Sequence, residues 1–176
     1  NMKHSFRMGI LGRSYYSLGA GIIPSTVPYP LLYTPLGNES IFYVGNAYNL
    51  MNYFEFIADR WATAQFEHNF GGLLFNRLPL LRQLKWREFV TAKVFVGSVS
   101  SANMAMIPAT DSQGQTVEGF SSLNRTPYIE VGYGIDNIFK VLRVDAIHRL
   151  TYRDNVSRTG IPVTPFAIKV SGWLAF

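Results

Sequence analysis

The chain is 176 residues long, carries a formal net charge of +5 and contains no cysteine. That length suits one domain with a real core, and the missing thiols exclude a disulfide framework, thiol chemistry and a cysteine-based zinc site. Only 15% of residues are charged, against roughly 25% in ordinary soluble domains, while 13 Phe, 10 Tyr and 3 Trp enrich the chain in rings.

The basic residues are dispersed and form no stripe, which argues against nucleic acid as a partner. No apolar run of 18 residues is present, which argues against a transmembrane helix. The opening "NMKHSFRMGI" has no apolar signal-peptide core, so an exported form would carry its signal upstream of Asn1.

Apolar and polar residues alternate with a period of two almost everywhere, the pattern of strands with one oily face. Over 3–11, Phe6, Met8 and Ile10 alternate with Ser5, Arg7 and Gly9. Over 15–23, Tyr16, Leu18, Ala20 and Ile22 alternate with Ser17, Gly19 and Gly21. The stretch 51–70 keeps one phase, with Phe54, Phe56, Ala58, Ala62, Ala64, Phe66 and Phe70 set against Glu55, Asp59, Thr63, Gln65, Glu67 and Asn69. Over 86–98, Val90, Ala92, Val94 and Val96 oppose Arg87, Thr91 and Lys93. Over 127–136, Ile129, Val131, Tyr133 and Ile135 oppose Glu130, Asp136 and two glycines. Over 140–153, Leu142, Val144, Ala146 and Leu150 oppose Arg143, Asp145, Arg149 and Arg153. The last stretch, 163–176, sets Phe166, Ile168, Val170, Gly172, Leu174 and Phe176 against Lys169, Ser171 and Trp173.

Several of these seven strands reach 10 or more residues. Soluble strands average about 5–6, whereas a tilted strand of about 9–11 residues crosses a bilayer. A soluble barrel buries the apolar face; an outer-membrane barrel turns it to lipid and keeps the charges in a wet lumen. Strand length and aromatic richness favour the second arrangement. The fold class predicted is all-β, an antiparallel transmembrane β-barrel. Seven is odd, and single-chain bacterial barrels have even strand counts. Residues 1–176 are therefore expected to form the C-terminal segment of a larger barrel, unless an eighth strand lies within 26–50.

The connections are 24–50, 71–85, 99–125, 137–139 and 154–162, with a tight turn at Gly12 and Arg13. A periplasmic C-terminus makes 24–50, 99–125 and 154–162 surface loops and puts the two tightest turns on the periplasmic side. The segment 71–85 departs from this sorting. Pro79 suits a first helical position. Leu74, Leu78, Leu81 and Leu84 would face the bilayer, with Trp86 at the interface and Arg77, Arg82, Gln83 and Lys85 at headgroups. The alternative is a leucine-rich turn packed under the barrel floor.

The chemistry available is limited. His4, His68 and His148 all lie on the apolar parity, away from the carboxylates, and would make poor general bases. The chain has neither a Gly-x-Ser-x-Gly nor a His-Glu-x-x-His motif, and no enzyme activity, cofactor or metal is expected. The polar face instead carries Glu67, Lys93, Glu130, Asp136, Arg143, Asp145 and Arg149. Such a set is either a constriction that selects solutes or, more commonly, a charge network that fills and stiffens the lumen. Lipid-facing Val144 or Val94 should tolerate arginine poorly, and lumen-facing Thr91 should tolerate it well.

Four stretches carry a family resemblance: "PYPLLYTPLGNES", "AYNLMNYFEFIADR", "FEHNFGGLLFNRLPLLRQLKWRE" and "TPYIEVGYGIDNIFKVLRVDAIHRLTYRD". Together they resemble the C-terminal barrel region of an uncharacterised outer-membrane family of Bacteroidota. Its members usually carry an N-terminal carboxypeptidase-regulatory-like domain. The resemblance implies a bacterial outer-membrane location, a barrel and a substantial upstream portion, but no activity. The layout is also similar, more distantly, to outer-membrane assembly and two-partner-secretion barrels. Their long loop docks an Arg-Gly-Phe/Tyr motif in the lumen, and 24–50 has no arginine.

The tail resembles the signal by which such barrels are recognised for insertion, with Lys169, Gly172, Leu174 and Phe176 as its elements and Ser171 at the usual glycine position. The partners implied are outer-membrane lipid, the barrel assembly machinery, and further strands from the same protein or another chain. The function expected is a non-enzymatic transport or surface-binding barrel. The alternatives are an assembly or translocation barrel and a soluble β-barrel that holds a small ligand.

Overall fold

The computed structural model describes residues 1–108, 114, 121–123, 125–154 and 162–172. The chain is mostly β. Its strands are β1 (Met2–Arg7), β2 (Arg13–Ile22), β3 (Phe56–Ile57), β4 (Arg60–Asn69), β5 (Arg87–Ser98), β6 (Ser121–Ser122), β7 (Tyr128–Ile138), β8 (Leu142–Arg149) and β9 (Phe166–Gly172). Seven of them form one sheet in the order β1-β2-β4-β5-β7-β8-β9. Every neighbouring pair in it is antiparallel. The short β3 and β6 pair in parallel as a separate two-stranded sheet.

β1 and β9 do not pair, and the sheet is not closed into a barrel. The free edge of β9 is met at one point by the chain's own residues 41–43. There Tyr43 N donates to Val170 O at 2.8 Å and Val170 N donates to Ile41 O at 3.1 Å. Within 26–50 only isolated bridges occur among the described residues, so the eighth strand considered there is absent.

The strands begin and end for local reasons. The first predicted strand stops at Arg7 because Gly9–Leu11 forms a 3₁₀ turn, which returns the chain through Gly12 at φ 105°. A Cβ on Gly12 would lie 2.0 Å from Asn69 O, so only glycine lets β1–β2 sit this close to β4. The single phase predicted over 51–70 is corrected. Phe54 adopts φ 58°, the extended run breaks, and the sheet strand starts only at Arg60. Phe56 and Ala58, expected to face lipid, are fully buried in a core with Tyr48, Met51, Phe95, Leu123 and Tyr128.

The register puts most apolar and most polar residues on opposite faces, though Phe89, Phe95, Tyr128 and Ile147 lie buried on the charged face. One row runs Met2, Leu18, Ala64, Val94, Ile129; the next runs Lys3, Ser17, Gln65, Lys93, Glu130. Burial then reverses the order of a soluble protein. Asp145 and Arg149 are 0% and 1% exposed, while Leu18 and Ile168 are 43% and 62% exposed. What hides the charges is the segment 24–59, predicted as a surface loop up to residue 50. It lies across the charged face because its backbone supplies the partners those charges lack.

Thr91 shares this fate. It is 7% exposed, and a Cβ on neighbouring Gly132 would stand 2.6 Å from its hydroxyl. On another side Thr91 lines an open cavity of about 570 Å³ on the charged face, beside Ser17 and Gln65.

The 71–85 segment forms a 3₁₀ turn at Phe75–Arg77 and a short helix α1 at Pro79–Arg82, with proline at its start as predicted. Leu74, Leu78, Leu80 and Leu84 are exposed, so it does not pack as a floor. Leu80, outside the predicted stripe, is the most exposed of them at 85%, while Leu81 is half-buried.

Candidate functional site

The charges of the sheet act on the backbone of the covering segment. Glu130 on β7 accepts from Asn49 N at 2.9 Å and Leu50 N at 2.6 Å, and from the Tyr128 hydroxyl at 2.7 Å. Lys93 on β5 donates to the carbonyls of Val44, Gly45 and Ala47 at 3.3, 2.9 and 2.5 Å. Lys169 on β9 donates to Asn38 O and Ser40 O, each at 2.7 Å. Arg149 on β8 donates to Leu50 O at 3.1 Å and forks onto Glu55, with Nη1 to Oε2 at 2.9 Å and Nη2 to Oε1 at 2.5 Å.

Four strands thus each contribute one buried charge to a clasp around residues 38–55. A buried ion is tolerated only when its hydrogen-bonding capacity is filled, and here the covering backbone fills it. Within the segment, Asn38 and Asn49 lock the turn. Asn38 Nδ2 donates to Asn49 Oδ1 at 2.7 Å, and Val44 N donates to the same oxygen at 2.9 Å.

The second charge group is an ion triad of the sheet itself. Arg143 Nη1 lies 2.9 Å from Glu67 Oε2, and its Nη2 lies 2.8 Å from Asp145 Oδ1. The guanidinium is sandwiched between Phe89 and Tyr43, 3.7 and 4.7 Å from the ring centroids. The seven predicted charges therefore do not make one network. Arg143, Asp145 and Glu67 join each other, whereas Lys93, Glu130 and Arg149 bind the segment. Asp136 stands apart, accepting from Asn69 Nδ2 at 2.6 Å with Arg87 Nε at 4.0 Å. Sequence reasoning missed Asn38, Asn49 and the carbonyls of 44–50, because no residue type marks a carbonyl that will serve as a partner.

The segment is tied to the sheet again at Asp59, just before β4. Its Oδ2 accepts from Ser100 N at 2.7 Å and from Asn103 Nδ2 at 2.9 Å, and Asn103 Oδ1 accepts from Val27 N at 2.9 Å. Burial alone would raise the Asp59 carboxyl, but the hydrogen bonds from Ser100 and Asn103 outweigh it and hold the pKa below the ordinary carboxylate value. A lowered folded pKa adds stability above the unfolded value of about 4, and that stability is lost as pH falls through the folded value. Asp59→Asn should therefore blunt the acid end of a stability-versus-pH curve. An acid limb identical to that of the parent protein would remove Asp59 from this role.

His68 corrects the expectation that it faces lipid. It is buried beneath the Gly9–Leu11 turn, with Nδ1 2.7 Å from Ser14 Oγ and Nε2 2.9 Å from Leu11 O. A carbonyl only accepts, so Nε2 carries the proton and Nδ1 accepts from the serine hydroxyl. Both ring nitrogens are occupied, and Ser14 and His68 are both buried. His148 is half-buried between Tyr133 and Phe166, and His4 is exposed beside Tyr16. Among the described residues no group of His, Cys, Asp and Glu could hold a metal ion.

The segment leaves part of the charged face bare. There a cavity of about 570 Å³ is lined by Lys3, Tyr15, Tyr43, Asn46, Gln65 and Glu67. The tail residues of the predicted insertion signal divide. Lys169 is buried in the clasp and Gly172 closes β9, while Leu174 and Phe176 lie outside the described residues.

Residues 1–102, more than half of the chain, match the C-terminal domain of a family of unknown function (DUF5686). The chain belongs to this family. No curated protein and no solved structure matches it. The match to the family takes in β1 to β5 and the whole clasped segment, including Lys93 and Glu55. Glu130, Arg149 and Lys169 follow it in sequence.

The clasp makes a direct expectation. Glu130→Gln keeps one acceptor but replaces the carboxylate that two backbone amides share. It should cost about 1.5–3 kcal/mol, the range for hydrogen bonds to a charged group. Hydrogen exchange at Asn49 and Leu50 should quicken accordingly. Unchanged protection of those two amides would show that the segment is held by its apolar contacts alone.

Proposed function

We propose that this chain is the lipid-facing wall of a non-enzymatic outer-membrane β-barrel protein, together with the plug that fills it. The observation that carries the reading is the reversed burial: charges clasped within, large apolar side chains bare without. Contiguous exposed apolar surface on this scale is unfavourable in water and favourable against hydrocarbon. The ten-residue β2 and β4 and the longer β5 and β7 have the reach of a tilted transmembrane strand.

An edge strand cannot stand unpaired in hydrocarbon, where each unsatisfied backbone group costs several kcal/mol. β1 therefore pairs with further strands, from the same protein or another chain. The resemblance to Bacteroidota barrels with a carboxypeptidase-regulatory-like domain favours the same protein. Insertion would then proceed through the barrel assembly machinery, with the tail as its signal.

Within this class the clasp favours a surface-binding or gated-transport role over a freely open pore. An assembly or translocation barrel is the second reading. Its support is the long segment docked inside the wall, though the docking uses wall charges on backbone and no arginine from the segment.

The test is fractionation of the full-length protein from a Gram-negative host, followed by planar-bilayer recording. The protein is expected to resist alkaline extraction, to need detergent for solubility, and to show no large steady conductance. Recovery as a detergent-free soluble protein would overturn the membrane reading. A constitutive large pore would overturn the plug.

A further inference from the structure

The turn between β4 and β5 builds a cleft that the clasp does not use. It has a volume of about 640 Å³ and is lined by Asn76, Arg82, Lys85, Trp86, Arg87 and the facing Asn137. Its walls are fixed by main-chain ties. Asn137 Nδ2 donates to Lys85 O at 2.7 Å, and Leu74 N donates to the Glu88 carboxylate at 2.6 Å. Gly72, at φ 85°, lets the chain pass where a Cβ would lie 2.8 Å from the Asn76 amide and 3.0 Å from Trp86 O.

Among the described residues no carboxylate lines the cleft. The acid beside it, Asp136, sits 4.0 Å from Arg87 Nε and is already bonded to Asn69. Arg82 and Lys85 have no ion-pair partner among the described residues. Two unpaired cations, a third weakly paired one and two amides suit a phosphate oxygen cluster.

The surroundings decide which phosphate. Leu74, Leu78, Leu80 and Leu84 are exposed around the cleft. At the same end of the sheet, where Arg13 pairs with Asn69 and Arg87 with Asp136, the other two turns expose Ile10 at 87% and Phe139 at 80%. Arg7, Arg13, Arg77 and Lys140 add further positive charge there. Basic heads set among bare apolar side chains match the boundary between acyl chains and an anionic headgroup.

We propose that this cleft binds the phosphate of an anionic glycerophospholipid in the leaflet at the turn end of the wall. The proposal rests on the reading that the apolar face meets lipid, and it goes further by placing one headgroup class at named residues.

The test uses full-length protein reconstituted into vesicles of phosphatidylcholine with an equal part of phosphatidylglycerol, then extracted in mild non-ionic detergent. Native mass spectrometry counts the lipids retained. Phosphatidylglycerol should be enriched over phosphatidylcholine. Removing one positive charge near an anionic surface should lower that enrichment about fivefold, and Arg82→Gln with Lys85→Gln about 25-fold. The paired exchange Arg82→Lys with Lys85→Arg keeps both charges and should retain most of the enrichment. Leu80→Ser should lower retention of both lipids alike.

Equal retention of the two lipids by the parent protein overturns the proposal, as does an unchanged enrichment in the glutamine pair. Displacement of the bound lipid by millimolar inorganic phosphate would make the cleft a free-phosphate site and overturn the lipid assignment. Failure to enter vesicles of either composition strikes the membrane reading instead.

Discussion

Arg149→Met is expected to destabilise the folded protein by about 3–5 kcal/mol, the cost of breaking a buried ion pair from one side. Both partners are sealed, with side chains 0% and 1% exposed for Arg149 and Glu55. Beyond the fork onto Glu55, Arg149 donates to the carbonyls of Leu50, Thr151 and Tyr152 and lies 4.8 Å from the Tyr128 ring centroid. Methionine fills much of the volume but leaves the carboxylate of Glu55 unneutralised and three carbonyls without donors.

Lysine at 149 should rescue little, because a point charge cannot serve the fork and the three carbonyls at once. The double change of Arg149 and Glu55 to methionine should cost far less than the arginine change alone, since no buried charge is then orphaned. Denaturant titration of the reconstituted protein gives all three values. A loss under about 1 kcal/mol for Arg149→Met would mean that the clasp is ornamental to stability.

The same site shows what the sequence could and could not disclose. Parity alone put Glu67, Lys93, Glu130, Arg143, Asp145 and Arg149 on one face, and the register agrees. The register, which parity does not give, sets Lys93 and Arg149 directly across from Glu130. Yet Glu130 spends its carboxylate on Asn49 and Leu50, and Arg149 turns to Glu55. Cross-strand adjacency fixes which charges are near, not which groups reach them with better geometry.

The partners came from 38–55, where the alternating pattern was misleading. Phe54, Phe56 and Ala58 hold the phase of β4, but the left-handed backbone at Phe54 breaks the strand without changing the letters. A usable hint was present. Asn38, Asn46, Asn49 and Asn52 crowd with Gly37 and Gly45 into a short stretch, the composition of a compact turn rich in side-chain-to-backbone bonds. Similarly, nothing in the letters of "GGLLFNRLPLLRQLK" set Leu80 as its most exposed leucine. That depends on α1 lasting only four residues, too short to present a regular stripe.

The apolar face itself yields the sharpest test. Leu18 is sixth of the ten residues of β2, in the row shared with Ala64 and Val94, and so stands near the middle of the wall. If that face meets hydrocarbon, Leu18→Arg should cost about 2–4 kcal/mol, the range for a cation at the bilayer midplane. If it meets water, an exposed leucine replaced by arginine should change stability by no more than about 0.5 kcal/mol. Ser17→Arg, one residue away, is the control. Its side chain enters the cavity beside Tyr15 and Gln65, and even with Lys3 directly opposite it should cost less than about 1 kcal/mol. Val94→Arg should follow Leu18→Arg because it occupies the same row. Thr91→Arg, on the charged face and lining the same cavity as Ser17, should cost much less than Leu18→Arg. Folding titrations of the full-length protein in liposomes would separate these outcomes. Equal costs at residues 17 and 18, or a cost at Leu18 within the range for a water-exposed site, would mean that the apolar face of this sheet does not lie against a bilayer.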